Sequence, residues 1–406
     1  MQDRTPPAGA PAAPGDAQPL PGLDRSIRSR FIDGVNGLRM HILECGHAQP
    51  GRPMLLLLHG FPELAYSWRK VMPLLAQAGY YVVAPDQRGY GQTTGWDPDY
   101  DGDLRQFRIL NVAKDALALV QALGRDSVDA VFGHDFGSSV AAWCALTRPD
   151  VFRAVALMSA PFAGPPSLPF AIDTAAATAP APARDPEAAA REGLATLARP
   201  RKHYQWYYSG REANADMRDC AQGLAAFLRA YYHVKSADWA GNAPYRLSGW
   251  SAEDLAQMPT YYIMDRDQDM AQTVAMHMPD AAAIAACNWL PDAELAVYAD
   301  AYARTGFQGG LQWYRARTSG LNADECLMFS RARITVPSVF ISGASDWGVY
   351  QRPGDVERMQ SHACTRMLGC HLIPGAGHWV QQEQAAETAR LLLEFLAAAS
   401  ADSRKP

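Results

Sequence analysis

No G-x-S-x-G turn occurs anywhere in the 406 residues, so the nucleophilic serine that such a turn presents is excluded. No C-x-x-C pair occurs either. The seven cysteines are scattered at positions 45, 144, 220, 287, 326, 364 and 370, an odd number that suits reduced thiols better than a disulfide framework. The ten histidines form no H-x-H, H-x-x-H or H-E-x-x-H pair, which argues against a metal site. Apolar runs never approach the roughly 18 residues of a membrane span. The N-terminal stretch to about Leu23 is rich in Pro, Ala and Gly and lacks the continuous apolar core of a signal peptide. Basic clusters are missing as well: the net charge is −5, and neither a nucleic acid nor an anionic membrane is expected as a partner. These absences describe a cytoplasmic protein, monomer or homodimer, with a disordered tail over residues 1–25.

What is present is an ordinary globular composition, 48% apolar and 19% charged, in a chain long enough for one large or two ordinary domains. Two extended segments between Ser29 and Glu44 flank Asn36-Gly37, a hairpin-turn dipeptide. Met54–Leu58 is a continuous apolar run, as in a strand buried on both faces. A helix is expected from Trp68 to Ala78, a strand over Tyr80–Ala84, a helix over Asn111–Leu123 and a strand over Phe152–Met158. Strands and helices therefore alternate through the first 160 residues, which predicts a parallel α/β sheet. The alternation stops at Phe162. A Pro- and Ala-rich linker with a short helix near Glu187–Ala198 follows, then a mostly helical stretch rich in aromatics over residues 201–330. Strands return at Ser338–Ser342 and, shorter, at His371–Ile373, and a helix closes the chain over Ala385–Ala399. The expected division is a core over 26–162 and 333–401, interrupted by a linker and helical cap over 163–332.

One turn organises the chemistry. The run Val128–Gly137 ends in Gly133-His134-Asp135-Phe136-Gly137, followed at once by a helix-compatible segment. Strand, tight turn and helix are the setting of a nucleophile elbow, but the central residue here is Asp135. A carboxylate nucleophile gives an alkyl ester rather than an acyl-enzyme. Asp346 follows one late strand and His378 the next, in the order nucleophile, acid, histidine. His378 then activates water and Asp346 fixes its tautomer. The backbone N–H groups of Phe136 and Phe61 are the expected oxyanion donors. His59 and His134 are read as structural, and Asp86 and Arg88 as braces of the core. The loop Gly89–Gly95 only approximates a dinucleotide motif, its third glycine one position late, and is read as a turn.

His59-Gly60-Phe61-Pro62-Glu63 and Gly133-His134-Asp135-Phe136-Gly137 resemble the H-G-x-P and G-x-D-x-G motifs of α/β-hydrolase-fold epoxide hydrolases. Asp86–Gly91, Asp346-Trp347 and Gly375-Ala376-Gly377-His378-Trp379 resemble further segments of that family. The resemblance covers about residues 29–162 and 333–398. In the cap, the stretches from His203 to Tyr208 and from Gly310 to Arg315 resemble those carrying the two epoxide-activating tyrosines, which makes Tyr204 and Tyr314 the expected pair. It implies an α/β-hydrolase fold, conversion of an epoxide and water to a vicinal diol, and no cofactor or metal. Trp206, Tyr208, Trp347 and Trp379 are expected to contact substrate. Two departures stand out: Phe136 where the family usually has Trp, and a linker and cap of about 170 residues. Two other readings stay open. A haloalkane dehalogenase-like hydrolase would use the same Asp135 but needs a side-chain halide donor that Phe136 lacks. A non-catalytic ligand-binding member of the fold would have no need of Asp135, Asp346 and His378 together.

Overall fold

The computed structural model describes residues 17–18, 20–168 and 186–402. The expected tail up to residue 16 and the Pro- and Ala-rich stretch 169–185 lie outside the described residues. Eight strands form one sheet: β1 (Ile27–Val35), β2 (Leu38–Cys45), β3 (Met54–Leu58), β4 (Tyr81–Pro85), β5 (Ala130–His134), β6 (Val155–Met158) and, much later, β9 (Ser338–Gly343) and β10 (Met367–Ile373). The spatial order is β1-β2-β4-β3-β5-β6-β9-β10. β1 and β2 form an antiparallel hairpin turned by Asn36 (φ 48°) and Gly37 (φ 83°), and β2 pairs antiparallel with β4. All other pairings are parallel. β7 (Arg201–His203) and β8 (Ile263–Asp265) make a separate antiparallel pair within the otherwise helical stretch.

The apolar runs read as doubly buried strands are so. Leu56 and Leu58 face one core layer with Val131, Val155 and the helices α2 (Ile109–Ala122) and α3 (Phe136–Thr147). Leu55 and Leu57 face the other, with Phe132, the helix α1 (Met72–Gln77) and Leu392 and Phe395 of the terminal helix Ala385–Asp402. Burying every residue of a strand removes the alternation that half-exposed strands show. Three expected boundaries shift. Trp68–Ala78 is not one helix: a 3-10 turn over Ala65–Trp68 precedes α1, which begins at Met72 because Pro73 fits only the first turn of a helix. The strand at β6 begins at Val155, and β10 begins four residues earlier than His371.

The chain reverses direction across the sheet at β3. β4 lies on one side of β3 and β5 on the other, so the loops after β3 and β5 meet at a topological switch point. Over this edge lie the helices between β6 and β9, tied down by specific contacts. The Trp313 indole N–H donates to the Arg88 carbonyl at 2.9 Å, and the Tyr232 hydroxyl to the Pro62 carbonyl at 3.0 Å. Gly309 lies so close to Gly89 that a Cβ there would come within 2.0 Å of the Gly89 carbonyl oxygen.

The loop after β4 is held from beneath. Asp86 is buried and accepts from His41 Nδ1 (2.7 Å), Ala65 N (2.9 Å) and Gln92 N (2.9 Å). Arg88 makes a bidentate pair with the equally buried Asp115, both contacts at 2.7 Å. Burial alone raises Asp86, but His41 and the donated N–H groups bring its carboxyl down to about 2. A carboxyl lowered on folding stabilises above its unfolded pKa, and this support is lost as the pH falls toward 2. We expect Asp86→Asn to flatten the fall in urea midpoint between about pH 4 and pH 2, by about 2 kcal/mol of the pH-dependent stability. Denaturation curves across that range, wild type against variant, check it.

Candidate active site

The elbow at Asp135 is a turn without room. Asp135 sits at φ 54° and ψ −119°, a conformation a non-glycine residue rarely adopts. A Cβ on Gly133 would lie 2.0 Å from the Gly137 carbonyl oxygen, and one on Gly137 would lie 2.2 Å from that of Leu58. The motif glycines are therefore required by close backbone approach. Gly60, in the loop after β3, faces the elbow as closely: a Cβ there would meet Asp135 Cβ at 2.3 Å. This proximity delivers the Phe61 amide to Asp135 Oδ1 at 3.0 Å. Phe136 opens α3 directly after Asp135.

His378 approaches from the loop after β10. Its Nε2 lies 3.4 Å from Asp135 Oδ2, and its Nδ1 lies 3.1 and 3.2 Å from the Asp346 oxygens. Asp346 also accepts from Gly348 N (2.7 Å) and the Ser342 hydroxyl (3.0 Å). These two donors leave Asp346 as the acceptor for Nδ1–H, which fixes the tautomer with Nε2 unprotonated. Beneath the loop the His378 carbonyl accepts from His134 Nε2 (2.7 Å) and from the Ser159 hydroxyl (3.1 Å). His134 in turn pairs with the buried Glu63 at 2.6 Å, so its side chain faces away from the Asp135 carboxylate and into a support beneath it. His59 is likewise bound within the backbone, accepting from Gln87 N at 3.1 Å.

Aromatic rings close the site from above. The Tyr314 ring stands edge-on to Phe136 (centroids 4.6 Å apart) and Phe61 (5.5 Å). Its helix, Gln308–Thr318, can lie there because Gly310 has no Cβ to strike the Phe61 ring. α4 (Pro186–Thr196) and β7 lead into α5 (Tyr204–Tyr208), which is capped by His203 and presents Tyr204 with its ring centroid 5.9 Å from that of Tyr314. The Tyr204 oxygen accepts from Gln205 Nε2 (3.1 Å) and Gln351 Nε2 (3.0 Å). Both lone pairs are used, and the O–H remains free to donate. The neighbouring tyrosines differ. Tyr207 donates to Asp216 (2.9 Å), Tyr208 to Tyr231 (3.1 Å) and Tyr232 to Pro62.

The four residues expected to contact substrate are not all brought together. Tyr208 packs on Phe61 and Tyr314. Trp379 is fully buried beside His378, its indole N–H donating to the Tyr232 carbonyl at 2.8 Å. Trp347 is buried against Tyr245. Trp206 lies on the other side of α5, in an open cleft of about 620 Å³ shared with Tyr100, Lys202 and Arg315.

With this geometry in view, the comparisons with known proteins converge. The family model described as the alpha/beta hydrolase fold matches residues 53–385. Epoxide hydrolase A of Mycobacterium tuberculosis is 30% identical over 378 residues, covering 90% of this chain and 96% of that protein. The chain belongs to the α/β-hydrolase-fold epoxide hydrolase family. That family is one of hydrolases acting on ether bonds. Among solved structures, an epoxide hydrolase from an endophytic Streptomyces has a TM-score of 0.69 at 29% identity, over 92% of this chain and 96% of that one. Epoxide hydrolase I of potato (Solanum tuberosum) has a TM-score of 0.68 at 28% identity, over 92% of this chain and 99% of that one.

One charged side chain of this epoxide hydrolase family member gives no signal in the sequence. Lys235 ends the helix Leu224–Lys235, where a lysine ordinarily reaches solvent, yet it is 5% exposed. Its ammonium sits 5.2–5.5 Å from the ring centroids of Tyr231, Tyr262 and Trp379. Burial lowers its pKa, and the charges of Asp135, Asp346 and Glu63 oppose that. Lys235 acts back on the carboxylates. Burial raises Asp135, but His378, then Lys235 and His134, hold it well below the usual carboxylate range. Asp346 is held low by His378, the Gly348 amide and Lys235, against the same effect of burial. Removing the ammonium therefore raises both carboxyls. Lys235→Met is expected to move the acid limb of the kcat/KM profile to higher pH, as a pH–rate series would show.

Proposed function

We propose that this hydrolase opens an epoxide to a vicinal diol through a covalent alkyl ester on Asp135. The observation that carries the reading is the meeting, at one carboxylate, of an amide-held oxygen, a histidine nitrogen and two phenols on the opposite wall. Asp135 Oδ1 is occupied by the Phe61 amide and becomes the ester carbonyl oxygen. Oδ2 attacks a ring carbon, the C–O bond breaks, and its electron pair goes to the epoxide oxygen. Tyr204 and Tyr314 donate to that oxygen, and one of them supplies its proton. Burial, reinforced by the Asp135 charge, raises both phenols. They therefore stay neutral donors until an alkoxide develops. The committed hydroxyls of Tyr207, Tyr208 and Tyr232 favour Tyr204 over its neighbours.

In the second half His378 Nε2 takes a proton from water. The water oxygen attacks Asp135 Cγ, and the tetrahedral oxyanion rests on the Phe61 and Phe136 amides. Collapse breaks the bond from Cγ to the alkyl oxygen, which takes the proton from the His378 imidazolium and leaves as the diol's second hydroxyl, while the proton left on the Asp135 carboxyl returns to the tyrosinate. Asp346 balances the imidazolium throughout. The roles of core and cap follow the expected division, with 26–162 and 333–401 carrying nucleophile, base and oxyanion donors, and 163–332 carrying the phenols. A halide would find no side-chain N–H at Phe136, whose ring offers only C–H edges.

His378→Gln is expected to leave Asp135 alkylated by an epoxide and unable to turn over, seen as a stable mass adduct on the peptide containing Asp135. An adduct from a haloalkane but not from any epoxide would overturn the assignment, and no adduct from either would favour a binding protein. Tyr204→Phe and Tyr314→Phe should each slow single-turnover alkylation by about a hundredfold, the usual scale for one lost transition-state donor. Unchanged alkylation in both would remove the phenols from the mechanism.

A further inference from the structure

His378 is followed by a short helix, Val380–Glu383, whose last residue turns back toward it. Glu383 Oε1 accepts from the Trp379 amide at 2.9 Å. Glu383 Oε2 accepts from the Gly377 amide at 2.9 Å and from the Ala237 amide at 2.8 Å. Gly377 and Trp379 are the two residues flanking His378. Ala237 lies just beyond the helix that ends in Lys235, on the far side of the chain from the sheet. The His378 amide itself donates to the Lys235 carbonyl at 2.8 Å. Gly377 is pressed against this segment: a Cβ there would lie 2.5 Å from the Lys235 carbonyl oxygen and 2.6 Å from Ala237 N.

We propose that Glu383 is a positioning residue for ester hydrolysis, clamping both neighbours of His378 to the Lys235–Ala237 segment and so setting the approach of the imidazole to Asp135. The assignment rests on the Asp135–His378 reading above. It separates the two half-reactions because their supports are separate. Asp135 is fixed by β5, α3 and the Gly60–Phe61 loop. Tyr204 is fixed by Gln205 and Gln351, and Tyr314 by its own helix. None of these contacts passes through Glu383. His378, in contrast, has its carbonyl held by His134 and Ser159 and its amide side held by Lys235 and, through Gly377 and Trp379, by Glu383. Burial pushes the Glu383 carboxyl up to about 8 against the downward pull of the three amides; the ionised form suits the place because all three partners are N–H donors. Glutamine has the same shape but only one acceptor oxygen, so at least one backbone N–H would face an NH2 group.

The test separates alkylation from hydrolysis in single-turnover experiments with the full chain and an epoxide that labels Asp135. Glu383→Gln is expected to alkylate within about threefold of wild type and to release diol from the ester about ten- to a hundredfold more slowly, the scale of an ångström-sized misplacement. The rate is read per alkylated Asp135, so a partly misfolded preparation does not mimic the effect. Gly377→Ala, which pushes the same junction apart from its other side, should show the same split. His378→Gln is the control. If it forms no Asp135 adduct, the covalent reading itself fails. If it does, and Glu383→Gln and Gly377→Ala hydrolyse their esters at the wild-type rate, only the clamp is overturned. Equal loss of both half-reactions, or no alkylation in either variant, also overturns it, because the junction would then serve folding alone.

Discussion

The site depends on a shortage of space around one residue. Asp135 is held at a positive φ between Gly133 and Gly137, with Gly60 pressed against its Cβ. Gly133 and Gly137 are there because other backbone occupies the place of a side chain, and Gly60 because the Asp135 side chain does. The strain of the turn, on the order of 1–3 kcal/mol, is sustained by the sheet that feeds it, since β5 is flanked on both sides by parallel strands. The same crowding brings the Phe61 amide to Asp135 Oδ1. The strained conformation and the Phe61 amide on Asp135 Oδ1 are therefore one geometric fact seen from two directions.

Charge is the second constraint. Three carboxylates, Asp135, Asp346 and Glu63, stand around His378 and its supports, in surroundings where an unpaired ion would be expensive. Glu63 is balanced by His134, whose ring is drawn toward the protonated form by that pairing against the opposing effect of burial. Lys235 faces all three carboxylates from within a cage of aromatic rings, which replaces part of its hydration with ring quadrupoles. An ammonium held this way lowers Asp135 and Asp346 from a distance, while burial lowers its own pKa.

Much of this was legible in the residues. The elbow, the loop after β3 and Asp346 follow doubly buried strands that run out into small-residue turns, whereas His378 follows the edge strand β10, which is largely exposed. That signal is local, and the sheet gathers such loops along one edge by topology alone. Tyr204 and Tyr314 were reached only through resemblance, since nothing in an aromatic-rich helical stretch separates a phenol over the site from one in the core. The hydrogen bonds narrow the choice by committing the O–H groups of Tyr207, Tyr208 and Tyr232 elsewhere. Lys235 and Glu383 were not legible at all. A lysine at a helix end and a glutamate four residues before another acid, Glu387, look like ordinary surface charge; the Trp379 ring over Lys235 and the Ala237 amide on Glu383 each come from more than 140 residues away. Trp206 shows the converse limit: it lies two residues from Tyr204, yet the helical turn carries it to the opposite face and into an outer cleft.

The arrangement has a consequence for how the two halves of the molecule are joined. The helical stretch contacts the rest of the molecule at many points, from Ser67–Tyr298 to Arg69–Glu294, and two groups of contacts bear on the site. Gly309 on Gly89 and Trp313 on the Arg88 carbonyl fix the helix of Tyr314, whereas the Lys235 carbonyl and the Ala237 amide fix the loop of His378. One attachment thus bears on the distance from Tyr314 to Asp135 and the other on the distance from His378 to Asp135. A movement of the helices as a rigid unit would change both together, and a change confined to one attachment would shift one distance without the other.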